Sequence, residues 1–441
     1  MLRHLPKRIA ERMVERMVER SMVLTLCAAA LCTAACKKEP APDKGQGMAS
    51  PGSGAAPAAG AGSGKIVIGV LSDMSGLYSD LGGKGSVVAA QMAVDDFGGS
   101  VAGMPIEIVS GDHQNKADLG SSIAREWYDT KGVDVIVDVP TSSVALAVSD
   151  VTRDKNKVFL VSGAGTSDLT GEKCSPNTIH WAYDTWALAN AAGREIVKNG
   201  GDTWFFVTVD YAFGHALKND ATKVIEANGG KVLGEVQHPF KTADFSSFLL
   251  QAQSSKAKVI ALANAGGDTI NAIKQAAEFG IVSKGQQLVG LLMFIADVNA
   301  LGLPTAQGLI LSESFYWDRD DQTRAWSQKF AAKDDGAMPT MVHAGVYSSV
   351  LHYLKAVAEL KSAKDGKAVV AKMEATPTDD PLFGKGTIDA NGRKRHAMYV
   401  YQVKTPAESK AKWDYYKLIR EVPADQAFRA PADSGCPLVK K

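Results

Sequence analysis

Hydroxyls, glycines and a few acids gather in short stretches that each follow an apolar run. Pro140-Thr141-Ser142-Ser143 follows VDVIVDV and opens a segment with helical spacing. A serine at a helix start offers a hydroxyl, and the first backbone N–H groups of the helix point outward. Together they suit a carboxylate or an amide. Gly163-Ala164-Gly165-Thr166-Ser167 continues the run KVFLVS, its glycines allowing close backbone approach and Thr166 and Ser167 adding hydroxyls. Simple N-capping accounts for either loop taken alone. Two such loops after neighbouring strands point more strongly to a ligand. Further candidates are Asp73 and Tyr78 after KIVIGVLS, Asp210, Tyr211 and Phe213 after TWFFVTVD, Gly266, Gly267 and Asp268 after KVIALANAG, and Asp297 after QLVGLLMF. Of these, Asp73, Tyr78, Tyr211, Phe213 and Asp297 are the residues expected to line a cleft. Helix capping for the acids and packing for the aromatics are the plainer alternatives.

The same residues give little support to catalysis. The sequence holds no Gly-x-Ser-x-Gly elbow, no His-Glu-x-x-His and no Walker loop. Its eight histidines show no metal-ligand spacing, so no metal and no cofactor is expected. The Gly-rich AGAGSG precedes no helix, and GAGTS lacks a full dinucleotide fingerprint. A net charge of +1 over 441 residues, without basic patches interleaved with aromatics, argues against nucleic acid as a partner. The reading is therefore a binding protein and not an enzyme.

The elements that position these loops alternate. KIVIGVLS, IEIVSGD, VDVIVDV and KVFLVSGAG read as strands, with helical spacing between them in GSVVAAQMAVDDFGG, ADLGSSIAREWYDTKG and SSVALAVSDVTRDKN. Such alternation predicts a parallel sheet with helices on both faces. A second series runs from ALANAAGREIVKNGG and TWFFVTVD to GLILSES. Two series in 441 residues predict two α/β lobes, more than one core would hold. Two long helices, TRAWSQKFAAKDDG and VHAGVYSSVLHYLKAVAEL, and a short one at KAVVAKMEA follow. The pair Asn391-Gly392 in GTIDANGRKRHAMYVYQV predicts a hairpin with a type I′ turn. In open parallel sheets ligands bind beyond the carboxyl ends of the strands, where the candidate loops fall.

The N-terminal region is of another kind. Six arginines and lysines between Arg3 and Arg20 precede an apolar stretch, Met22 to Ala35, too short to span a bilayer. This order is that of an export signal, with Met17 or Met22 as alternative starts. Thr33-Ala34-Ala35-Cys36 resembles a bacterial lipobox, which makes Cys36 the expected lipidation site; an ordinary signal cut nearby is the alternative. Residues 1–36 are thus read as signal. Residues 37–64, rich in Pro, Gly, Ala and Ser, cannot bury enough apolar surface to fold and are read as a tether. Export leaves Cys174 and Cys436, which predict one disulfide in an oxidising compartment, with two free thiols as the alternative.

IGVLSDMSGLYSDLGG at the first strand and turn, the PTSS loop, SGAGTSDLT and DYAFG occur in an order that resembles the periplasmic leucine/isoleucine/valine-type binding proteins of ABC transporters. The likeness runs from about Lys65 to the hairpin. It implies a type I periplasmic binding protein fold: two doubly wound parallel-sheet lobes joined by three crossover strands. The crossovers would fall near Trp181 to Thr185, Ser314 to Trp317 and Phe383 to Thr387. Lobe 1 would then be 65–183 with 316–384, and lobe 2 184–315 with 385–441. The resemblance implies capture of a small ligand, delivery to an ABC transporter permease with its ATPase, and a periplasmic location on a lipid anchor. A ligand sensor acting through a separate signalling partner is the rival. Site residues carry over as follows. The serine gripping a ligand carboxylate falls at Ser142, or at Thr141 if the gap is placed differently, with Ser143 next in the same loop. The second carboxylate loop falls on Gly163, Ala164 and Thr166. The aromatic after the second lobe's first strand falls at Phe213, with Tyr211 close by, and Tyr78 joins them on the reading of the first-strand loop. The family's acid that neutralises an amino group should fall near Met293 or Phe294, neither of which is acidic, with Asp297 a few residues on. A buried ammonium needs a paired anion. An organic acid, an aromatic carboxylate or an amide therefore stands beside an amino acid as the expected ligand.

Overall fold

The computed structural model describes residues 64–440. The leader, the lipobox at Cys36 and the tether up to Ser63 lie outside the described residues.

The first series folds into a sheet of β1 (Ile66–Ser72), β2 (Ser100–Val101), β3 (Met104–Asp112), β4 (Val135–Asp138), β5 (Val158–Val161) and β6 (Thr178–His180). Their spatial order is β2-β3-β1-β4-β5-β6, parallel throughout except for the short β2 beside β3. Every residue of β1 is buried, as a continuous apolar run covered on both faces requires. Helices Gly83–Phe97 and Met341–Leu360 pack against each other over this sheet. The second series forms β7 (Thr203–Val209), β8 (Lys231–His238), β9 (Val259–Ala263) and β10 (Gln287–Gly290), a parallel sheet in the order β10-β9-β7-β8. Helices Thr185–Lys198 and Ala212–Ala227 pack together on this lobe.

The chain ends differently from the simple hairpin expected. β11 (Ile310–Glu313), β15 (Met398–Val403) and β16 (Tyr416–Val422) form an antiparallel sheet against helix Thr185–Lys198, and β16 had no counterpart in the sequence reading. β12 (Thr378–Asp380), β13 (Gly384–Ile388) and β14 (Lys394–Arg395) form a small sheet of their own. The hairpin β13–β14 exists, but its turn is not type I′, which needs positive φ at both central residues. Only Gly392 has it, at 79°. The Gly392 N–H donates to the Asp389 carbonyl at 2.8 Å and the Asp389 N–H to the Arg393 carbonyl at 2.9 Å. This is a three-residue loop with its glycine in the left-handed position. Within β15 the pairing with β11 begins at Tyr399, and the segment around Phe383 to Thr387 pairs with β12.

One helix also departs from its expected form. ADLGSSIAREWYDTKG is α-helical from Ala117 to Glu126 and finishes as a π turn over Trp127–Lys131. The wider turn places Trp127 and Tyr128 together in the core, at 3% and 6% exposure.

Candidate functional site

The cleft floor is built at the ends of β4 and β5. Asp138 and Val139 have φ of 80° and 54°, a conformation strained for any side chain and most of all for a β-branched one. The strain is held by surrounding contacts. The Asp138 carbonyl accepts from the Ser162 and Gly163 N–H groups, each at 3.3 Å, and its carboxylate accepts from the Ser72 hydroxyl at 2.7 Å. Burial pushes the Asp138 carboxyl up to about 6, against the Ser72 bond. This sharp exit from β4 turns Pro140 and Thr141 over the strand ends and starts helix Ser142–Asp154.

The Thr141 side chain does not cap that helix; it donates instead to the Asn115 side-chain oxygen. The Ser142 hydroxyl accepts from the Thr166 N–H at 3.2 Å, pinning the second loop to the helix start. Thr166 in turn caps the short turn Ser167–Thr170, its hydroxyl accepting from the Asp168 N–H at 3.3 Å. The Ala164 carbonyl is engaged by His180 at 2.7 Å and the Gly163 carbonyl by the Tyr183 hydroxyl. Glycine is needed in this loop for close approach. A Cβ on Gly163 would lie 2.6 Å from Pro140 Cα, and one on Gly165 2.8 Å from the Phe213 ring.

From the other lobe, Tyr211 stands at the start of helix Ala212–Ala227 and Phe213 two residues on in its first turn, 2% exposed. The Tyr211 hydroxyl meets that of Tyr78 at 2.7 Å, directly across the cleft. The Phe240 ring stands edge-on to both, at 5.5 and 5.6 Å between centroids. Burial holds the Tyr78 and Tyr211 hydroxyls well above the usual tyrosine range, so both are neutral donors and acceptors.

These side chains enclose a cavity of about 10 Å³ bounded by Tyr78, Leu81, Pro140, Gly163, Gly165, Tyr183, Tyr211, Phe213, Ala265 and Leu292. That is about one water's worth of room, so a ligand requires the lobes to part. A separate pocket of about 460 Å³ lies between Asp80, Lys84, Asp334 and Met338 on one side and Asn299, Lys412 and Trp413 on the other.

Of the expected site residues, Tyr78, Gly163, Tyr211 and Phe213 line the cavity. Thr141, Ser142, Ala164 and Thr166 form the layer behind it through the bonds above, and Ser143 follows Ser142 in the helix. Asp73 holds the β1 loop, accepting from the Gly76 and Tyr78 N–H groups at 2.8 and 2.9 Å. Asp297 stands apart from the lining: its carboxylate accepts from the Phe294 N–H at 2.9 Å, fixing the start of helix Ile295–Leu301. Burial pushes it up to about 7, the Phe294 bond opposing and Asp80 adding. Next to Met293 and Phe294, where the resemblance implied an acid, the lining residue is Leu292. Tyr183, Leu292 and Phe240 were not anticipated. QLVGLLMF reads as one apolar strand, but β10 ends at Gly290, so Leu291 to Phe294 leave the sheet as a buried loop.

Two parallel-sheet lobes with a cleft between strand ends, linked by three passages of chain, are the architecture of type I periplasmic binding proteins. The family model described as periplasmic binding protein matches residues 65–411, and the chain belongs to that family. It is 52% identical to a periplasmic binding protein of Burkholderia mallei of known crystal structure, covering 86% of this chain and 100% of that one, with a TM-score of 0.83. It is 39% identical to a branched-chain amino acid ABC transporter periplasmic ligand-binding protein of Burkholderia xenovorans, covering 85% and 100%, with a TM-score of 0.76. A Leu/Ile/Val-binding protein homolog of Brucella melitensis is 24% identical over 377 residues, 84% of this chain and 93% of that protein. Cys174 and Cys436 are joined as a disulfide across 262 residues of sequence.

Proposed function

We propose that this chain captures a small carboxylate- or amide-bearing molecule with an apolar or aromatic body and delivers it to an ABC permease with its ATPase. The observation that carries the reading is the lining itself: tyrosines, phenylalanine and leucine under a helix start whose own side chain does not cap it. The helix N-terminus and the Gly163–Thr166 loop would take the carboxylate, and Tyr78, Tyr183, Tyr211 and Phe213 the body. None of the residues lining the cavity is acidic, and Asp297 is engaged by the Phe294 N–H, which weighs against a ligand needing a paired ammonium. We assign lobe 1 to residues 65–183 with 316–384 and lobe 2 to 184–315 with 385–441.

A thermal-shift panel on residues 65–441 tests the ligand class, with aromatic and aliphatic carboxylates, small amides and amino acids at high excess. A ligand at a hundred times its dissociation constant stabilises by about 2.7 kcal/mol. Shifts with carboxylates or amides are expected. Shifts with amino acids alone would overturn this ligand class and return an acid to the site. Export and lipid anchoring at Cys36 complete the proposal. Palmitate incorporation by the full chain in a bacterial host should vanish in Cys36→Ala; labelling that survives would remove Cys36 from that role.

A further inference from the structure

The tail that follows β16 leaves the second lobe and ends on the first. Pro423 to Phe428 lies along helix Thr185–Lys198, where the Asn190 side chain donates to the Gln426 carbonyl and, at 3.3 Å, to the Ala427 carbonyl. It then packs on the stretch Arg393 to His396. The Phe428 ring lies 4.7 Å from the Arg393 guanidinium and 5.2 Å from His396, and Arg395 donates to the Ala424 carbonyl at 3.3 Å. Beyond it the Ser434 carbonyl abuts Gly171, and Cys436 is bonded to Cys174 in the loop between β5 and β6 of the first lobe.

Midway along this path sits Asp220, on helix Ala212–Ala227 and 3% exposed. Its carboxylate accepts from Arg429 of the tail, from the Thr185 hydroxyl at the first passage between lobes, and from the Ser167 hydroxyl of the first lobe, the last two at 2.7 Å. Arg429 also lies over the Trp186 ring at 4.2 Å. The junction touches the ligand cleft. The Thr185 N–H donates to the carbonyl of Gly165, which lines the cavity, and the Ser167 N–H donates to the Thr185 hydroxyl at 3.1 Å.

We infer that Pro423–Cys436 is a strap that limits how far the lobes open, locked by the Cys174–Cys436 disulfide and coupled to the ligand loop through Asp220. Three passages of chain leave two lobes free to bend and twist about them. A fourth covalent link between the same two bodies removes part of that freedom. Because the strap is fastened to Gly171 and Cys174, a few residues beyond Gly163–Thr166, its release loosens the loop expected to hold the ligand. The inference rests on the two-lobe closure of the proposed function but needs no ligand identity.

The test uses ligand-free protein. Small-angle scattering and amide hydrogen exchange are measured on the wild type, on Cys174→Ser/Cys436→Ser, and on Arg429→Met, which keeps contact with Trp186 but drops the ion pair. The double variant should show a larger radius of gyration and about tenfold faster exchange in residues 163–171, with Arg429→Met between it and the wild type. Unchanged scattering and exchange would overturn the strap, as would a change confined to the tail's own amides. If the double variant does not fold, dithiothreitol on the folded wild type replaces it, each disulfide taking two electrons and two protons to give two thiols. The same two readouts then decide. A failed ligand panel leaves these outcomes unaffected, and the two readings can therefore fail separately.

Discussion

Asp297 shows how a residue chosen for one role is held by another. Its type and its place after an apolar run suggested an acid facing a ligand's amino group, yet its carboxylate accepts the Phe294 N–H and fixes a helix start. The sequence contained both readings, since an acid three residues into a helix is also a capping residue. The burial of this carboxyl has a measurable consequence. An unfolded aspartate ionises near 3.8, whereas in the fold Asp297 ionises at about 7. Between those values the folded state binds more protons than the unfolded one. Its contribution to stability is full below about pH 4 and is lost as pH rises through 7. Asp297→Asn keeps an acceptor for the Phe294 N–H and removes the titration. The fall in melting temperature between pH 4 and pH 7 should become shallower than in the wild type. An unchanged slope would show that this carboxyl does not titrate in that window. At the same scale, Tyr78 and Tyr211 were legible as aromatics after strands. Their hydroxyl–hydroxyl contact at 2.7 Å joins residues 133 apart and could not be read from either loop.

The elements were legible where one period dominates. Seven buried residues in β1 and twenty helical residues in Met341–Leu360 follow directly from continuous and helical apolar patterns. The signal failed where the pattern is short or is overridden by packing. β10 stops at Gly290 although its apolar run continues, and Asn391-Gly392 falls in a three-residue loop because Arg393 pairs with Asp389 rather than with Ala390. The ligand loop is likewise a property of two elements together. Ser142 was expected to grip a carboxylate through its hydroxyl; that hydroxyl also accepts the Thr166 N–H and so ties the start of one helix to the loop after the next strand. Ser142→Ala therefore acts through the loop. It leaves a buried N–H without its partner and should destabilise the protein by about 1–3 kcal/mol, with ligand affinity falling alongside. Chemical unfolding and calorimetric titration read the two effects. Lost affinity with unchanged stability would instead mean direct contact with ligand.

At the scale of the molecule, the two lobes meet through Tyr78, Tyr211 and Phe240 around a cavity too small for an amino acid or a benzoate. Binding therefore requires opening and reclosure, and closure is favoured only by contacts the ligand makes better in the closed state. Small-angle scattering with and without saturating ligand should show a smaller radius of gyration on binding. Identical profiles would sink the hinged mechanism.

The sequence by itself determined the class of architecture, the two α/β series, the loops at the strand ends and the pair of cysteines free to bond. Each of these depends on local period, composition or redox compartment, all of which are written along the chain. Only the tertiary structure decided which side chains share the cavity, that Leu292 reaches it from beside the positions where an acid was sought, and that the tail crosses from one lobe to the other. Those outcomes depend on where elements far apart in sequence come to rest against each other, and on burial, which strips a carboxylate such as Asp138 or Asp297 of water and fixes its partner.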